Sequence, residues 1–473
     1  MAASEQKGTD KQYDLVIVGS GPGGYWAAIR AGEYGLSTLC IEKDEKLGGT
    51  CLHVGCIPTK ALLHAADVVD TFRDAKNLGI DVGAFSVNWG QMQARKDAIV
   101  SKHAKGIEYL FKKNKVEWLR GAASWAGPGE LSVKTADGTR RVRARNIIIA
   151  TGSTARMLPG LTADDRILTN VEILALNQIP KKLVVIGAGA VGVEFASIYQ
   201  RMGAQVTVLE MLPRIVAIED EDVSRELEKS LKKQKIDIHT SAKFEKVEKT
   251  ASGVKVTYTS ADGKKQVIEA DKLLVAVGRA PVTTGLNLEK TKIQTERGFL
   301  KTDGYMRTAE PNVYAIGDVV AGSPQLAHVA SMEGLIAVAH IAGKSTHEMD
   351  YTRVPNCTYC EPQVASVGLT EQAAKAKGLQ YKVGKFPFAG NSKATILGAH
   401  EGFIKMIADA KDGTILGVHM IGPTVTELVS EATLALQMNA SVDELMETIH
   451  AHPTVYEALL DAAHSVYGLT INA

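Results

Sequence analysis

Cys51 and Cys56 stand five residues apart in Gly48-Gly49-Thr50-Cys51-Leu52-His53-Val54-Gly55-Cys56-Ile57-Pro58-Thr59-Lys60. On one helical turn with a local distortion, that spacing can bring two Cα atoms to the about 5–6 Å a disulfide needs. The segment runs into a helical pattern, Lys60 to Ala75, and the positive end of a helix favours a thiolate. Thiol–disulfide exchange is the chemistry such a pair can carry. Two plainer readings stand beside it. The cysteines can be simple buried packing, or half of a metal site, although no further ligands lie close by in the sequence.

Two glycine-rich turns carry a second chemistry. Gly19-Ser20-Gly21-Pro22-Gly23-Gly24 follows the apolar run Asp14 to Val18 and opens a helical pattern from Tyr25 to Tyr34. A strand pattern, Ser37 to Ile41, comes next and ends at Glu42. The first glycine permits a tight turn, the second lets the backbone approach a pyrophosphate, and the third lets helix and strand pack closely. Phosphates then meet unpaired N–H groups at the helix start. The carboxylate of Glu42, eighteen residues past Gly24, can accept from ribose hydroxyls. Gly187-Ala188-Gly189-Ala190-Val191-Gly192 with Glu210 repeats this at identical spacing, 168 residues further on. Two dinucleotides on one chain imply electron traffic between them. At the second site Glu210 would repel a 2′-phosphate, so NAD is expected rather than NADP. Arg214, the nearest cation, reads as a solvated surface charge.

A third group lies near the C-terminus, in His450-Ala451-His452-Pro453-Thr454 with Glu457. An imidazole suits proton transfer near neutral pH, and a carboxylate can hold its tautomer and stabilise the imidazolium. A histidine taken alone is more often packing or surface. The proline after His452 and the spacing to Glu457 favour the base, with His450 as supporting structure.

These groups need scaffolds. The runs Asp14 to Val18 and Lys182 to Ile186 are short, β-branched and apolar, as buried parallel strands are. Each opens a βαβ unit; the second continues as a helix through Met202 and a strand Gln205 to Leu209. Between them come helical patterns to Ala75 and around Met92 to Lys112, and a β-rich segment Val116 to Ile149. Leu158-Pro159-Gly160 suits a crossover. Asn312 to Asp318 reads as a strand and Pro324 to Ala342 as a helix. The strands Val364 to Val367, Phe403 to Ala408 and Thr414 to Met420, with helices Val425 to Met438 and Thr454 to Tyr467, make an α+β domain of another kind. The expected fold is therefore α/β, with two Rossmann-like dinucleotide-binding domains and a C-terminal α+β domain. The boundaries expected are 1–156, 157–279, 280–350 and 351–473.

The chain has 473 residues, 45% hydrophobic and 23% charged, enough for about three cores and typical of a globular protein. With 54 basic against 53 acidic residues, neither nucleic acid nor an anionic membrane is an expected partner. The longest apolar stretch, Leu183 to Tyr199, is broken by glycines and holds Glu194, so no membrane span is expected. Met1 to Gln12 is short and polar, unlike a signal or transit peptide, and the cytoplasm is the default compartment. Five cysteines are too few for a disulfide scaffold. Cys40 reads as core packing inside a strand. Cys357-Thr-Tyr-Cys360 invites a redox or zinc reading, yet it lies outside any βαβ unit and lacks partner ligands.

Taken together, these motifs resemble the pyridine nucleotide-disulfide oxidoreductases of class I, and within them the dihydrolipoamide dehydrogenases, from Tyr13 to about Tyr467. The resemblance is carried by the first Gly loop, the Cys pair with Lys60, Ala150-Thr151-Gly152, and the second Gly loop with Glu194. Val277-Gly278-Arg279-Ala280-Pro281, Thr308 with Tyr314-Ala315-Ile316-Gly317-Asp318, Leu326-Ala327-His328 and the His452 segment complete it. It implies FAD at Gly19, Gly21, Gly24 and Glu42, and NAD at Gly187, Gly189, Gly192 and Glu210. It places Thr50, Gly121, Thr151, Gly152, Ser153 and Gly278 on the cofactor sites. Asp318 would face the ribityl chain, and Gln325, Leu326, Ala327 and His328 the flavin ring. It implies an ion pair of Lys60 with Glu194 where the nicotinamide stacks. Cys56 would be the thiol facing the flavin, and Cys51 the interchange thiol. The family also implies a homodimer, in which His452 of one subunit serves the Cys pair of the other. The activity implied is NAD-dependent oxidation of dihydrolipoamide carried on proteins of 2-oxo-acid dehydrogenase or glycine cleavage complexes.

Departures from the family pattern are few. His53 stands where Asn is usual, Tyr456 where Ser is frequent, and Thr424 to Glu427 lacks the usual Ala/Gly; modest tuning is expected. Related activities fit less well. Glutathione-type reductases would want arginines after the second βαβ strand, mercuric reductases a C-terminal cysteine pair, and a flavin transhydrogenase no Cys pair at all. An inert assembly subunit would not need Cys51, Cys56, His452 and Glu457.

Overall fold

The computed structural model describes residues 11–472. Of the polar segment Met1 to Gln12 read above, residues 1–10 lie outside the described residues. The chain forms two compact units: one from Met1–Ala61, Gln93–Arg156 and Arg279–Tyr351, the other from Leu62–Met92, Met157–Gly278 and Thr352–Ala473.

The first unit is built on a seven-stranded sheet. Gln12–Val18 lies at its centre, flanked by Thr38–Glu42 and Gly138–Ile149, all parallel. Glu117–Arg120 extends one edge. The long strand Gly138–Ile149 is shared: its first half closes an antiparallel hairpin with Glu130–Thr135, and its second half also pairs with Val313–Ala315. Leu15 and Ile17, facing one side, pack with Ala27, Ala28 and Ala31 of the helix Pro22–Glu33 and with Cys40. Small alanines on that helix face permit close seating on the sheet. Cys40 is fully buried, and burial pushes its thiol up. It is core.

The second unit contains two larger sheets. One is fully parallel, in the order Asp237–His239, Gln205–Leu209, Lys182–Ile186, Lys272–Val275, Ile167–Leu168. Open parallel sheets bind ligands beyond the carboxyl ends of their strands, where the second Gly loop lies. The other sheet is antiparallel: Asn356–Thr358, Gln363–Gly368, Ile415–Gly422, Phe403–Asp409, Tyr381–Pro387. The helices Val425–Met438 and Glu457–Val466 share its core through Leu428, Ala432, Leu459 and Ala462. The α/β class, with two Rossmann-like sheets and a C-terminal α+β domain, is as expected.

Several elements differ from the sequence expectation. Lys243–Lys249, Val254–Thr259 and Lys265–Ala270 form a three-stranded antiparallel sheet, and Tyr381–Pro387 is an edge strand; neither was expected. The strand expected to reach Asp318 stops at Ala315, because Gly317 turns the chain with φ of +74° into a single 3₁₀ turn, Gly317–Val319. The helix expected from Pro324 begins at Ala327, since Leu326 is extended and its N–H bonds Pro324 O. The last helix starts at Glu457 rather than Thr454 because the Glu457 carboxylate accepts the Thr454 N–H in the preceding turn. Among the described residues, no helix is long and apolar enough to cross a membrane.

Candidate active site

Cys51 and Cys56 are joined in a disulfide, with Cα atoms 4.7 Å apart. Cys51 belongs to the short helix Gly49–Val54, and Cys56 opens the nineteen-residue helix Cys56–Asp74. Gly55 makes the break between them. A Cβ there would lie 2.9 Å from Thr50 O and 3.2 Å from Cys51 Cα, so only glycine lets the two turns close on each other. Thr59 then restarts the helix, its N–H and hydroxyl both donating to Gly55 O. Cys56 therefore sits at a positive helix end, where a thiolate is favoured. His53, the departure from the family pattern, bonds Leu47 O at 2.9 Å and so tethers its own loop. Thr50 and Lys60 flank the disulfide in sequence, Lys60 one turn into the second helix.

The first Gly loop lies in the same unit. A Cβ at Gly24 would stand 2.0 Å from Gly19 O, which is the close helix–strand approach its glycine permits, whereas Gly21 faces open space. The carboxylate of Glu42 accepts Ser20 N–H at 2.8 Å and Asp44 N–H at 2.9 Å. Gly121 N–H bonds Glu42 O, tying the next strand to the same acid.

The second loop reproduces this geometry in the other unit. At Gly192 a Cβ would lie 1.9 Å from Gly187 O, and Gly189 again faces open space. Glu210 accepts Ala188 N–H at 2.6 Å and Leu212 N–H at 2.8 Å, so each acid braces the second residue of its own loop. Arg214 pairs with Glu221 at 3.0 Å and donates to Ala217 O, remaining within its own loop. Glu194 is buried on the helix Ala190–Arg201 and accepts Tyr359 N–H at 2.9 Å. Gly278 follows the strand Lys272–Val275 of this unit.

Thr151, Gly152, Ser153 and Asp318 are brought together in the first unit, although Ser153 and Asp318 are 165 residues apart in sequence. Ser153–Ala155 pairs with Arg279–Pro281; Thr151 Oγ1 donates to Val282 O, and Val282 N–H bonds Gly152 O. The Ser153 hydroxyl donates to Asp318, and Arg279 Nε donates to that hydroxyl at 2.6 Å while standing 3.6 Å from Asp318. Arg279 belongs to the segment Val277 to Pro281, and only the fold sets it beside Asp318. Gln325 Nε2 is buried with no hydrogen-bond partner among the described residues, at the entry to the helix Ala327–Ile341 that also carries His328. The glycine-lined openings and this spare donor fit a dinucleotide in the first unit.

His452 Nδ1 and Glu457 Oε1 are 2.9 Å apart, and the other Glu457 oxygen accepts Thr454 N–H. Burial works against the Glu457 charge, but these bonds outweigh it and hold the carboxyl below its ordinary value. The His450 side chain is 5% exposed; its ring bonds Glu431 and Thr448 O, each at 2.9 Å, in keeping with a supporting role. Cys360 is buried and Cys357 half-buried; neither is disulfide-bonded, and no His/Cys/Asp/Glu cluster among the described residues could hold a metal.

A redox disulfide beside one dinucleotide fold, with a second such fold on the same chain, defines a pyridine nucleotide-linked disulfide reductase. Residues 13–334 match the pyridine nucleotide-disulphide oxidoreductase family, and residues 354–463 match its dimerisation domain. The chain belongs to this family, whose members are FAD- and NAD(H)-binding enzymes. A dihydrolipoyl dehydrogenase of Bacillus subtilis is 45% identical over 98% of this chain and 99% of its own. The mitochondrial dihydrolipoyl dehydrogenase 1 of Arabidopsis thaliana is 45% identical over 98% and 92%. Among solved structures, LpdA from Mycobacterium tuberculosis superposes with a TM-score of 0.88 at 28% identity, covering 95% of this chain and 98% of that one.

Proposed function

We propose that this protein is a dihydrolipoyl dehydrogenase, catalysing dihydrolipoamide + NAD⁺ → lipoamide + NADH + H⁺. The observation that carries the proposal is the Cys51–Cys56 disulfide at the head of a long helix, in the same unit as the first Gly loop. Glu210 in the second loop supports NAD as acceptor, and Arg214, the cation that follows it, is engaged with Glu221.

With Nδ1 held by Glu457, His452 keeps Nε2 for the proton of a substrate thiol. The substrate thiolate attacks Cys51 Sγ, breaking the Cys51–Cys56 bond and leaving the electron pair on Cys56. The second substrate thiol, as thiolate, then displaces Cys51, closing the lipoamide ring and leaving both enzyme cysteines reduced. The chemistry FAD would supply, when bound, is two-electron transfer between these thiols and the nicotinamide. Gly19, Gly21, Gly24 and Glu42 would hold FAD, with Thr50, Gly121 and Thr151 to Ser153 alongside. Asp318 and Gln325 to His328 would orient it. Gly187, Gly189, Gly192 and Gly278 would serve the nicotinamide cofactor, with Glu194 on the helix that follows that loop, and Lys60 lies one turn after Cys56.

The dimerisation domain supports a homodimer, and the proposal has His452 serve the Cys pair of the partner subunit; its side chain is 71% exposed on this chain, as such a base requires. The same proposal takes lipoylated carrier proteins of 2-oxo-acid dehydrogenase or glycine cleavage complexes as partners and the cytoplasm as compartment. It keeps the division at 1–156, 157–279, 280–350 and 351–473. The test is Cys51→Ser: lipoamide turnover with NADH is abolished while FAD stays bound. Turnover retained, or oxidised glutathione reduced in preference to lipoamide, would remove the assignment.

A further inference from the structure

Glu333 has no solvent exposure, an unusual setting for a carboxylate on a helix whose neighbours are apolar. A buried acid is retained only where donors replace the water it has lost. Three such donors converge on it. Gly317 N–H donates to one oxygen; the Ser323 and Tyr351 hydroxyls donate to the other, each at 2.6 Å. Gly317 is the residue before Asp318, in the 3₁₀ turn Gly317–Val319. Glu333 itself lies on the helix Ala327–Ile341, directly after Gln325 and Leu326. One carboxylate thus pins the turn that aims Asp318 to the helix whose entry carries the spare Gln325 donor, and Ser323 ties in the connecting loop.

We propose that Glu333 is a positioning residue of the flavin site, holding the Gly317–Asp318 turn and the 325–328 segment in mutual register so that FAD meets both preformed. The inference rests on the reading of Asp318 as a flavin-site residue. Its function is directional hydrogen bonding rather than charge. Burial pushes the Glu333 carboxyl up, against the donors that stabilise it, and Asp318 close by adds to the rise. A neutral side chain of the same shape can do the same work. In Glu333→Gln the amide oxygen accepts Gly317 N–H, and the amide N–H₂ donates to the Ser323 and Tyr351 hydroxyls, which rotate to accept.

The experiment titrates FAD into flavin-free protein and follows quenching of flavin fluorescence, with the melting temperature of the flavin-free protein as a check on folding. Glu333→Leu is expected to weaken FAD binding at least ~30-fold, and Glu333→Gln to stay within ~3-fold of the parent. NADH affinity should be unchanged in both. If Glu333→Leu does not fold, the double variant Ser323→Ala, Tyr351→Phe replaces it, with an expected loss of ~10-fold; parental affinity there overturns the proposal. It is equally overturned if Glu333→Gln loses as much as Glu333→Leu, which would assign the effect to charge. Asp318→Asn separates the two levels. Weakened FAD in Asp318→Asn with parental affinity in Glu333→Leu sinks only the role of Glu333. Parental affinity in both sinks the site reading as well.

Discussion

The two Gly loops make a differential prediction. In Gly192→Ala the new methyl would lie 1.9 Å from Gly187 O, and in Gly24→Ala 2.0 Å from Gly19 O. A carbon needs about 3.3 Å from a carbonyl oxygen, so the helix start must retreat by about 1.3 Å in either variant. That carries the phosphate-facing N–H groups from about 2.9 Å to beyond 4 Å, outside hydrogen-bond range. Losing two such bonds to a charged group, at ~1.5–3 kcal/mol each, costs ~3–6 kcal/mol of cofactor affinity, or ~10²–10⁴-fold. The strain on the fold itself is smaller, ~1–3 kcal/mol. Gly192→Ala should therefore purify yellow, with its flavin still reduced by dihydrolipoamide, while the NADH concentration for half-reduction rises at least ~100-fold. Gly24→Ala should emerge depleted of flavin yet still bind NADH. Anaerobic titration with absorbance at the flavin band reads the first variant, and the change in NADH fluorescence on binding reads the second. Flavin loss from Gly192→Ala with unaltered NADH response would show the two loops to be assigned the wrong way round, and parental behaviour in both would refute the close-packing argument.

Other expectations follow from single contacts. Glu457→Gln removes a charge-assisted bond to an imidazole that is 71% exposed, so the low end of the range applies, ~1.5 kcal/mol. kcat/KM for dihydrolipoamide should fall ~10-fold, whereas His452→Gln should cost ~10²–10⁴-fold; equal rates in steady-state assays would remove the pair from the mechanism. Lys405, almost wholly buried, bonds Asp220 and Asp222 at 2.9 Å and Glu371 at 2.6 Å. Burial opposes the charge of Asp220, but Lys405 holds its carboxyl below the ordinary value. That contribution is present above the unfolded carboxylate value and is lost as pH falls through the folded one. Lys405→Met should therefore destabilise the protein by ~3–5 kcal/mol at pH 7, and by progressively less only as pH falls below about 4, as denaturant melts at each pH would show.

What could be read from the sequence was what is encoded locally. Each Gly loop, with its strand, helix and terminal acid, lies within one stretch of chain, so residue type and spacing carry the whole motif. The Cys pair is local in the same sense, and Gly55 between its members was on view. The cluster of Ser153, Arg279 and Asp318 was not, because its members lie 126 and 165 residues apart and meet only when the ribbon Ser153–Ala155 with Arg279–Pro281 forms. Glu333 was hidden differently: a glutamate in a helical pattern reads as solvated, and only folding shows that three donors converge on it. The sheet spanning 243–270 was missed because Lys and Glu fill the exposed face of its strands, although Val254, Val256 and Tyr258 alternate inward with the period of two that marks a strand.

The repeated acid marks what the two loops share and where they differ. Glu42 and Glu210 each accept the N–H of the second loop residue and of the residue two positions further on. Each acid therefore braces its loop before any ligand arrives, and such preorganisation lowers the ordering cost of binding. What differs is what stands around them. Glu42 accepts a further bond from the Ser20 hydroxyl, where the second loop has Ala188 and none is possible. In the first unit, Ser153, Arg279 and Asp318 form a further hydrogen-bonded cluster. After Glu210, by contrast, Met211 and Leu212 are exposed and Arg214 is turned back onto Glu221. A loop braced by an extra hydroxyl, in a unit with that further cluster, suits a cofactor that stays; a loop with an open apolar rim suits one that must leave each cycle.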